Sequence, residues 1–222
     1  MPRALRIAGL IFTVMAAGGT AAAGLLATDG NGLTGYKGTQ RFIATTPPFM
    51  GSQIDFAADV DYCVYAPGKF GLSFSGQDPS NGALYVYAYQ IFNDLDPYPS
   101  GPLYMNRKGH VNTISIGLNG GDEYVPHVGY LPGTENSPDT YNRNPSSVKW
   151  NFPLVDPQID FNERSNILIF TSDGSPEYDS ATVAGVFPTS QQLPSPAPEP
   201  ASLAILAAAS AFCMLSRRPK RR

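Results

Sequence analysis

Cysteine is nearly absent from this chain. Of 222 residues only Cys63 and Cys213 carry a thiol, and Cys213 lies in an apolar run close to the C-terminus, so the two are not expected to pair. A domain with no internal disulfide must draw its stability from a hydrophobic core. Cys63 stands in the strand-like run Asp61-Tyr62-Cys63-Val64-Tyr65 and is expected to be buried and inert. Charge is scarce too: Asp, Glu, Lys and Arg make up 15% of the chain, against about 25% in an average globular protein. Histidine occurs twice, at His110 and His127, a separation that fits no metal-ligand pattern. There is no Gly-x-Ser-x-Gly elbow, and Asp29-Gly30-Asn31-Gly32 departs from the calcium loop of an EF-hand after three positions. With no nucleophile motif, no metal cluster and no cofactor motif, no enzymatic activity and no cofactor are expected.

The two ends are where the sequence is most explicit. Arg3 and Arg6 precede an apolar stretch from Ile7 to Ala17, and Ala21-Ala22-Ala23 offers small residues for cleavage. This is the pattern of a secretory signal peptide spanning residues 1–23. At the other end come Pro198-Glu199-Pro200, small residues, an apolar run from Leu203 to Leu215, and the basic cluster Arg217, Arg218, Lys220, Arg221 and Arg222. Basic residues outside both apolar segments hold the two termini on the cytoplasmic side and send everything between them across the inner membrane. The stretch from Ala201 to Leu215 has 15 residues. As a helix it reaches only about 22 Å, short of a hydrocarbon core of about 30 Å. The shortfall favours a segment that is recognised and removed over a permanent anchor.

The order Pro198-Glu199-Pro200, short apolar helix and Arg cluster resembles the PEP-CTERM sorting signal of exported Gram-negative bacterial proteins. That resemblance covers residues 198–222. It implies recognition by the membrane protease-transpeptidase exosortase, cleavage near Pro198-Glu199-Pro200, and delivery to the cell envelope, cell surface or extracellular matrix. Three internal runs, Asp61 to Gly68, Tyr85 to Asn93 and Ile167 to Thr171, are similar to segments of functionally unassigned ectodomains that travel with this signal. They imply no catalytic residue.

Of the fifteen Lys and Arg, two fall in the signal peptide and five in the tail. Eight remain against all eighteen Asp and Glu, which lie between Asp29 and Glu199, leaving a net charge of −10. An acidic domain lacks the basic footprint that nucleic acid or anionic lipid requires.

Between the signals, residues 24–189 suit one domain. Gly and Pro account for 43 residues and no window sustains a 3.6-residue apolar period, which disfavours long helices. Short runs of β-branched and aromatic residues predict strands over Arg41 to Thr45, Ile54 to Tyr65, Phe70 to Phe74, Leu84 to Phe92, Val111 to Leu118, Val148 to Phe152, Asn166 to Thr171 and Thr182 to Phe187. Val148, Trp150 and Phe152 should share one face, as should Ile114, Ile116 and Leu118. Asn166 to Phe170 is apolar on both faces, as in a strand covered on both sides. The turns between these runs predict an all-β fold, an antiparallel β-sandwich of jelly-roll or immunoglobulin-like type, with a barrel as the main competing arrangement. Pro97 to Gly109 and Leu131 to Ser147 read as loops, and residues 190–197 as a Pro-rich linker.

Two constellations carry possible binding chemistry. Tyr85, Tyr87 and Tyr89 project from one face of a strand, and aromatic faces of this kind pack against sugar C–H groups while the phenol hydroxyls bond at the rim. The plainer alternative is that these tyrosines pack in a half-buried sheet. Asp55, Asp59 and Asp61, and Asp94 with Asp96, offer oxygens that suit calcium, although solvated strand and turn acids have the same spacing. The function expected is that of an exported surface or matrix protein, structural or adhesive in an exopolysaccharide matrix or biofilm. Its expected partners are exosortase, the secretion machinery and the inner membrane before processing. The alternative is a carbohydrate-binding module without catalysis, with exopolysaccharide as its partner.

Overall fold

Phe56, Ala58, Val60, Tyr62 and Val64 occupy alternate positions of the run Ile54 to Tyr65, and all five are buried in one core. The opposite side of the same run carries Asp59, Asp61, Cys63 and Tyr65. A period of two on a chain this long is a strand in the middle of a sheet. The computed structural model describes residues 25–45, 54–93, 109–118, 125–153 and 158–197. The signal peptide, the Pro-Glu-Pro tail and most of the Pro97 to Gly109 loop lie outside the described residues.

In chain order the elements are the one-turn helix α1 (Leu25–Thr28), strands β1 (Lys37–Thr45) and β2 (Ile54–Tyr65), the one-turn helix α2 (Phe70–Ser73), and β3 (Tyr85–Asn93). Then come β4 (Thr113–Gly117), β5 (Val128–Tyr130), β6 (Thr140–Asn144), β7 (Ser147–Asn151), β8 (Glu163–Arg164), β9 (Leu168–Ser172), β10 (Pro176–Ala184) and β11 (Pro188–Pro196). They form two antiparallel sheets. The first runs β1-β2-β3-β9-β5 with β8 added against β3, and the second runs β11-β10-β4-β7-β6. The fold is all-β, as the punctuated strand pattern predicted.

One core joins the sheets. Phe42, Tyr87, Tyr89, Ile91, Leu168 and Phe170 from the first sheet meet Ile114, Ile116, Val148, Trp150, Val183 and Leu193 from the second. The predicted inward faces of β4 and β7 are both found there. Trp150 is fully buried, and its indole N–H donates to the Gly129 carbonyl at 2.8 Å, satisfying the one polar atom it takes out of water. All five positions of β9 are buried, because its other side faces a second cluster. There Ile167 and Ile169 join Cys63, Tyr65, Val86 and Ala88 under Leu26 of α1 and Phe70 of α2.

Four expectations fail locally: the strand predicted over Thr182 to Phe187 holds only as far as Ala184, where β10 ends in a bend before β11, and three others fail outright. Phe70 to Phe74, read as a strand, contains α2, closed by the Phe74 N–H to the Phe70 carbonyl at 2.9 Å. A strand would separate the two phenylalanines by about 13 Å. The turn instead brings their rings to 4.8 Å, with Phe70 at 5.1 Å and Phe74 at 6.2 Å from the ring of Tyr65. Packing against Tyr65 outweighs the strand preference of the aromatic residues. The stretch from Leu131 to Ser147, read as a loop, contains β6, exposed at every position and paired only with β7. An edge strand with polar side chains on both faces carries no apolar alternation to read.

The expected linker at 190–197 is the third outright failure. Residues 188–196 form β11, paired along its whole length with β10, and Leu193, Pro194, Ser195 and Pro196 are buried. Proline is tolerated here because β11 is the edge of its sheet. Pro188, Pro194 and Pro196 have the same parity, so one register turns all three ring nitrogens away from β10. The Pro194 carbonyl, which faces the same way, accepts a hydrogen bond from the Tyr89 hydroxyl.

Candidate functional site

The alternation that places Tyr85, Tyr87 and Tyr89 on one side of β3 decides what those tyrosines can do. That side is the inter-sheet core. Tyr87 and Tyr89 are fully buried, and Tyr85 is packed against the same cluster. The Tyr87 ring stacks on Phe170 at 4.8 Å and 3°, and its hydroxyl donates to the Gly174 carbonyl at 2.9 Å. Tyr89 lies 6.1 Å from Phe170 and 6.3 Å from Trp150. Burial and the neighbouring Tyr87 hold the Tyr89 phenol well above its ordinary titration range. Tyr87 and Tyr89 are therefore core residues and Tyr85 packs half-buried at the edge of the same core, which corrects the saccharide-binding face expected of the three: neither the Tyr87 nor the Tyr89 ring is open to a ligand.

The aspartates of β2 are also committed. Asp59 pairs with Arg41 at 2.8 Å, and Asp61 accepts from the Thr39 hydroxyl at 2.6 Å. Each residue faces its partner directly across β1 and β2 in the strand register. The Asp55 side chain, Asp94 and Asp96 lie outside the described residues. Among the described residues no three His, Cys, Asp or Glu side chains are grouped to hold a metal ion.

Asp29 is the centre of a polar knot rather than of a site. Its carboxylate accepts from the Tyr65 hydroxyl at 2.9 Å and from the Asn31 N–H at 2.8 Å, and Lys37 Nζ binds its carbonyl at 2.6 Å. Burial alone would raise this carboxyl. Hydrogen bonds from Ser73, Asn31 and Tyr65 and the charge of Lys37 outweigh it and hold the group below its usual value. Beneath the knot Cys63 is fully buried, and burial pushes its thiol up to about 11. It stays protonated at neutral pH, the inert cysteine its strand position implied.

The open concave surface lies on the other side of β3. Val86, Ala88 and Gln90 alternate with the tyrosines and face away from the inter-sheet core. Val86 and Ala88 are covered by α1 and α2, and where that cover ends a two-lobed cleft opens. The smaller lobe, about 160 Å³, is lined by Phe74, Gln90, Leu131, Glu135, Asn166 and Ile167, together with the run Pro132-Gly133-Thr134. The larger, about 460 Å³, runs past His127, Val128, Tyr130 and Ile169 beside the edge strand β5. Gln77, Leu131 and Pro132 line both lobes and join them.

Three elements position this cleft. The α2 turn presents Phe74, one part of whose ring is covered by Phe70. The segment after β5 is pinned by the Leu131 N–H to the Ile167 carbonyl at 2.8 Å. Asn166 Nδ2 donates to the Ser137 hydroxyl at 2.9 Å, tying the far rim to the start of β9. Gly133 permits a close approach there: a Cβ would stand 2.5 Å from Asn166 Oδ1 and would have to displace that amide. Glu135 lies 3.9 Å from Arg164, whose guanidinium in turn sits 5.5 Å over the Phe92 ring.

Sequence reasoning passed over this cleft. The signal available was Gln90 itself, one amide in the run Tyr-Val-Tyr-Ala-Tyr-Gln-Ile-Phe-Asn, in a strand covered on both faces. What fold and cleft define is an all-β domain of two antiparallel sheets with a small mixed apolar and polar depression on one outer face. Neither family models, curated proteins nor solved structures match this chain.

Proposed function

We propose that this protein is exported across the inner membrane, processed at its C-terminal PEP-CTERM-like signal and retained at the cell surface or in the extracellular matrix, where it acts as a structural or adhesive component without catalysis. The observation that carries this reading is the order Pro198-Glu199-Pro200, apolar run, Arg217 to Arg222, matched by the signal-peptide pattern at residues 1–23. In this reading exosortase and the secretion machinery are the partners of the two ends, and the inner membrane holds the tail before processing.

The domain between the ends supports it in two ways. An all-β fold that buries its single cysteine and needs no disulfide suits an envelope or external compartment. The last strand, β11, ends at Pro196, and the Ala197 N–H still donates to the Ser175 carbonyl at 2.6 Å. Pro198-Glu199-Pro200 thus follows directly on Ala197, the last of the described residues, which is itself bonded to the fold. We read the two sheets, which share one core, as a β-sandwich of jelly-roll or immunoglobulin-like kind. The test is intact-mass analysis of envelope and culture fluid. The expected mature form lacks residues 1–23 and ends near Pro198, and a mature form that retains Leu203 to Arg222 overturns exosortase handling and leaves a plain membrane anchor.

A further inference from the structure

We propose that the smaller lobe of the outer cleft is a binding site for one neutral pyranose unit of a saccharide, oriented by Gln90. Gln90 is 4% exposed. Its Nε2 donates to the Ser165 carbonyl at 2.9 Å. A carbonyl accepts only, so this bond fixes which end of the amide is nitrogen and leaves Oε1 without a protein partner among the described residues. Gln90 lines the cleft, and its amide oxygen gives up its solvent partner when the cleft is dried. The ligand that dries it must therefore bring a donor.

The rest of the lobe narrows the choice. Phe74, Leu131, Pro132 and Ile167 supply apolar surface to the lining, whereas Thr134 and Glu135 supply a hydroxyl and a carboxylate. An apolar wall with a few fixed polar groups is the usual make-up of a small-molecule site. A pyranose ring presents the complementary surface, C–H groups on one face and hydroxyl donors around the edge. A wholly apolar ligand leaves Gln90 Oε1 unpaired. An anionic one is opposed by the domain's net charge of −10, with Glu135 in the lining already paired to Arg164 at 3.9 Å. The volume of about 160 Å³ accommodates a single ring, and the larger lobe beyond Gln77 gives room for the chain to continue.

This site is on the opposite side of β3 from Tyr85, Tyr87 and Tyr89, and it does not depend on how the termini are processed. The experiment is saturation-transfer difference NMR on the full-length chain in mild detergent, with the methyl glycosides of glucose, galactose, N-acetylglucosamine and glucuronic acid as probes. The expected result is transfer to the ring protons of at least one neutral glycoside and none to the glucuronide. Gln77 is exposed and lies between the lobes, so Gln77→Trp should leave thermal unfolding unchanged and abolish transfer. Gln90→Met should weaken the neutral glycoside at least about tenfold, the loss of one such hydrogen bond. Absence of transfer from every neutral glycoside, equal transfer to the glucuronide, or undiminished transfer in Gln77→Trp overturns the proposal.

Discussion

Tyr87 of β3 and Phe170 of β9 are direct cross-strand partners, and their rings lie parallel at 4.8 Å and 3° in the middle of the inter-sheet core. Directly opposed aromatic pairs are a principal unit of sheet stabilisation. This pair sits where Tyr89 and Trp150 also meet Phe170, so its loss is felt by both sheets.

Tyr87→Ala and Tyr89→Ala should each destabilise the domain by about 3–5 kcal/mol, the range for emptying a large aromatic site. Tyr89→Phe keeps the ring and strands the Pro194 carbonyl, costing about 1–3 kcal/mol. Urea unfolding monitored by Trp150 fluorescence measures both. Alanine variants as stable as the parent chain would show that these rings are not core.

Gly32 and Cys63 are coupled by contact. A Cβ built on Gly32 overlaps Cys63 Sγ, while nothing in the Gly32 backbone conformation demands glycine. Gly32→Ala is therefore expected to destabilise by about 1–3 kcal/mol, as overpacking does. In the double variant Gly32→Ala/Cys63→Ala, part of that loss should return. A double-mutant cycle that gives strictly additive effects removes the contact as the cause.

Alkaline pH should weaken the fold. Burial raises the Cys63 thiol from its ordinary 9.0 to about 11. It also raises the Tyr178 phenol to about 12, with the hydrogen bond to Tyr62 as the second cause. Below pH 9 neither state of the chain is ionised at Cys63 and the stabilisation is complete. Between pH 9 and about 11 the unfolded chain releases this proton while the native chain retains it, so stability falls as pH rises. The slope is about 1.4 kcal/mol per pH unit for one group. Urea midpoints from pH 8 to 11 should fall less steeply in Cys63→Ala, and an unchanged slope would assign the decline to the tyrosines alone.

Removal of β11 should abolish cooperative folding. A chain ending at Phe187 loses Leu193 from the core, uncovers the edge of β10 and deprives Tyr89 of its acceptor. A chain ending at Ala197 should melt at the temperature of the intact domain. Thermal unfolding by circular dichroism separates the two, and a cooperative melt from the shorter chain would restore the linker reading of residues 190–197.

Strands were most legible where one face is wet and the other dry, as in β4 and β7. Val148, Trp150 and Phe152, and Ile114, Ile116 and Leu118, announced their inward faces, and all six are buried. Legibility failed for β6, which is wet on both faces, for the short strands β5 and β8, for the first half of β10, and for β11, whose prolines imitate a linker. The candidate site was harder to read. A period of two separates Tyr85, Tyr87 and Tyr89 from Val86, Ala88 and Gln90, but does not say which set faces the partner sheet.

The sequence by itself determined the all-β class, most strand positions, the burial expected of Cys63 and the acidic charge, because each follows from composition or from local alternation. Tertiary structure decided the rest. The partner sheet takes the tyrosine side of β3 into the core, and Tyr65 draws Phe70 and Phe74 into a helical turn. The cover formed by α1 and α2 ends just short of Gln90, so a cleft opens there. These outcomes depend on which distant surfaces meet, and contact between residues far apart in the chain leaves no period in the sequence.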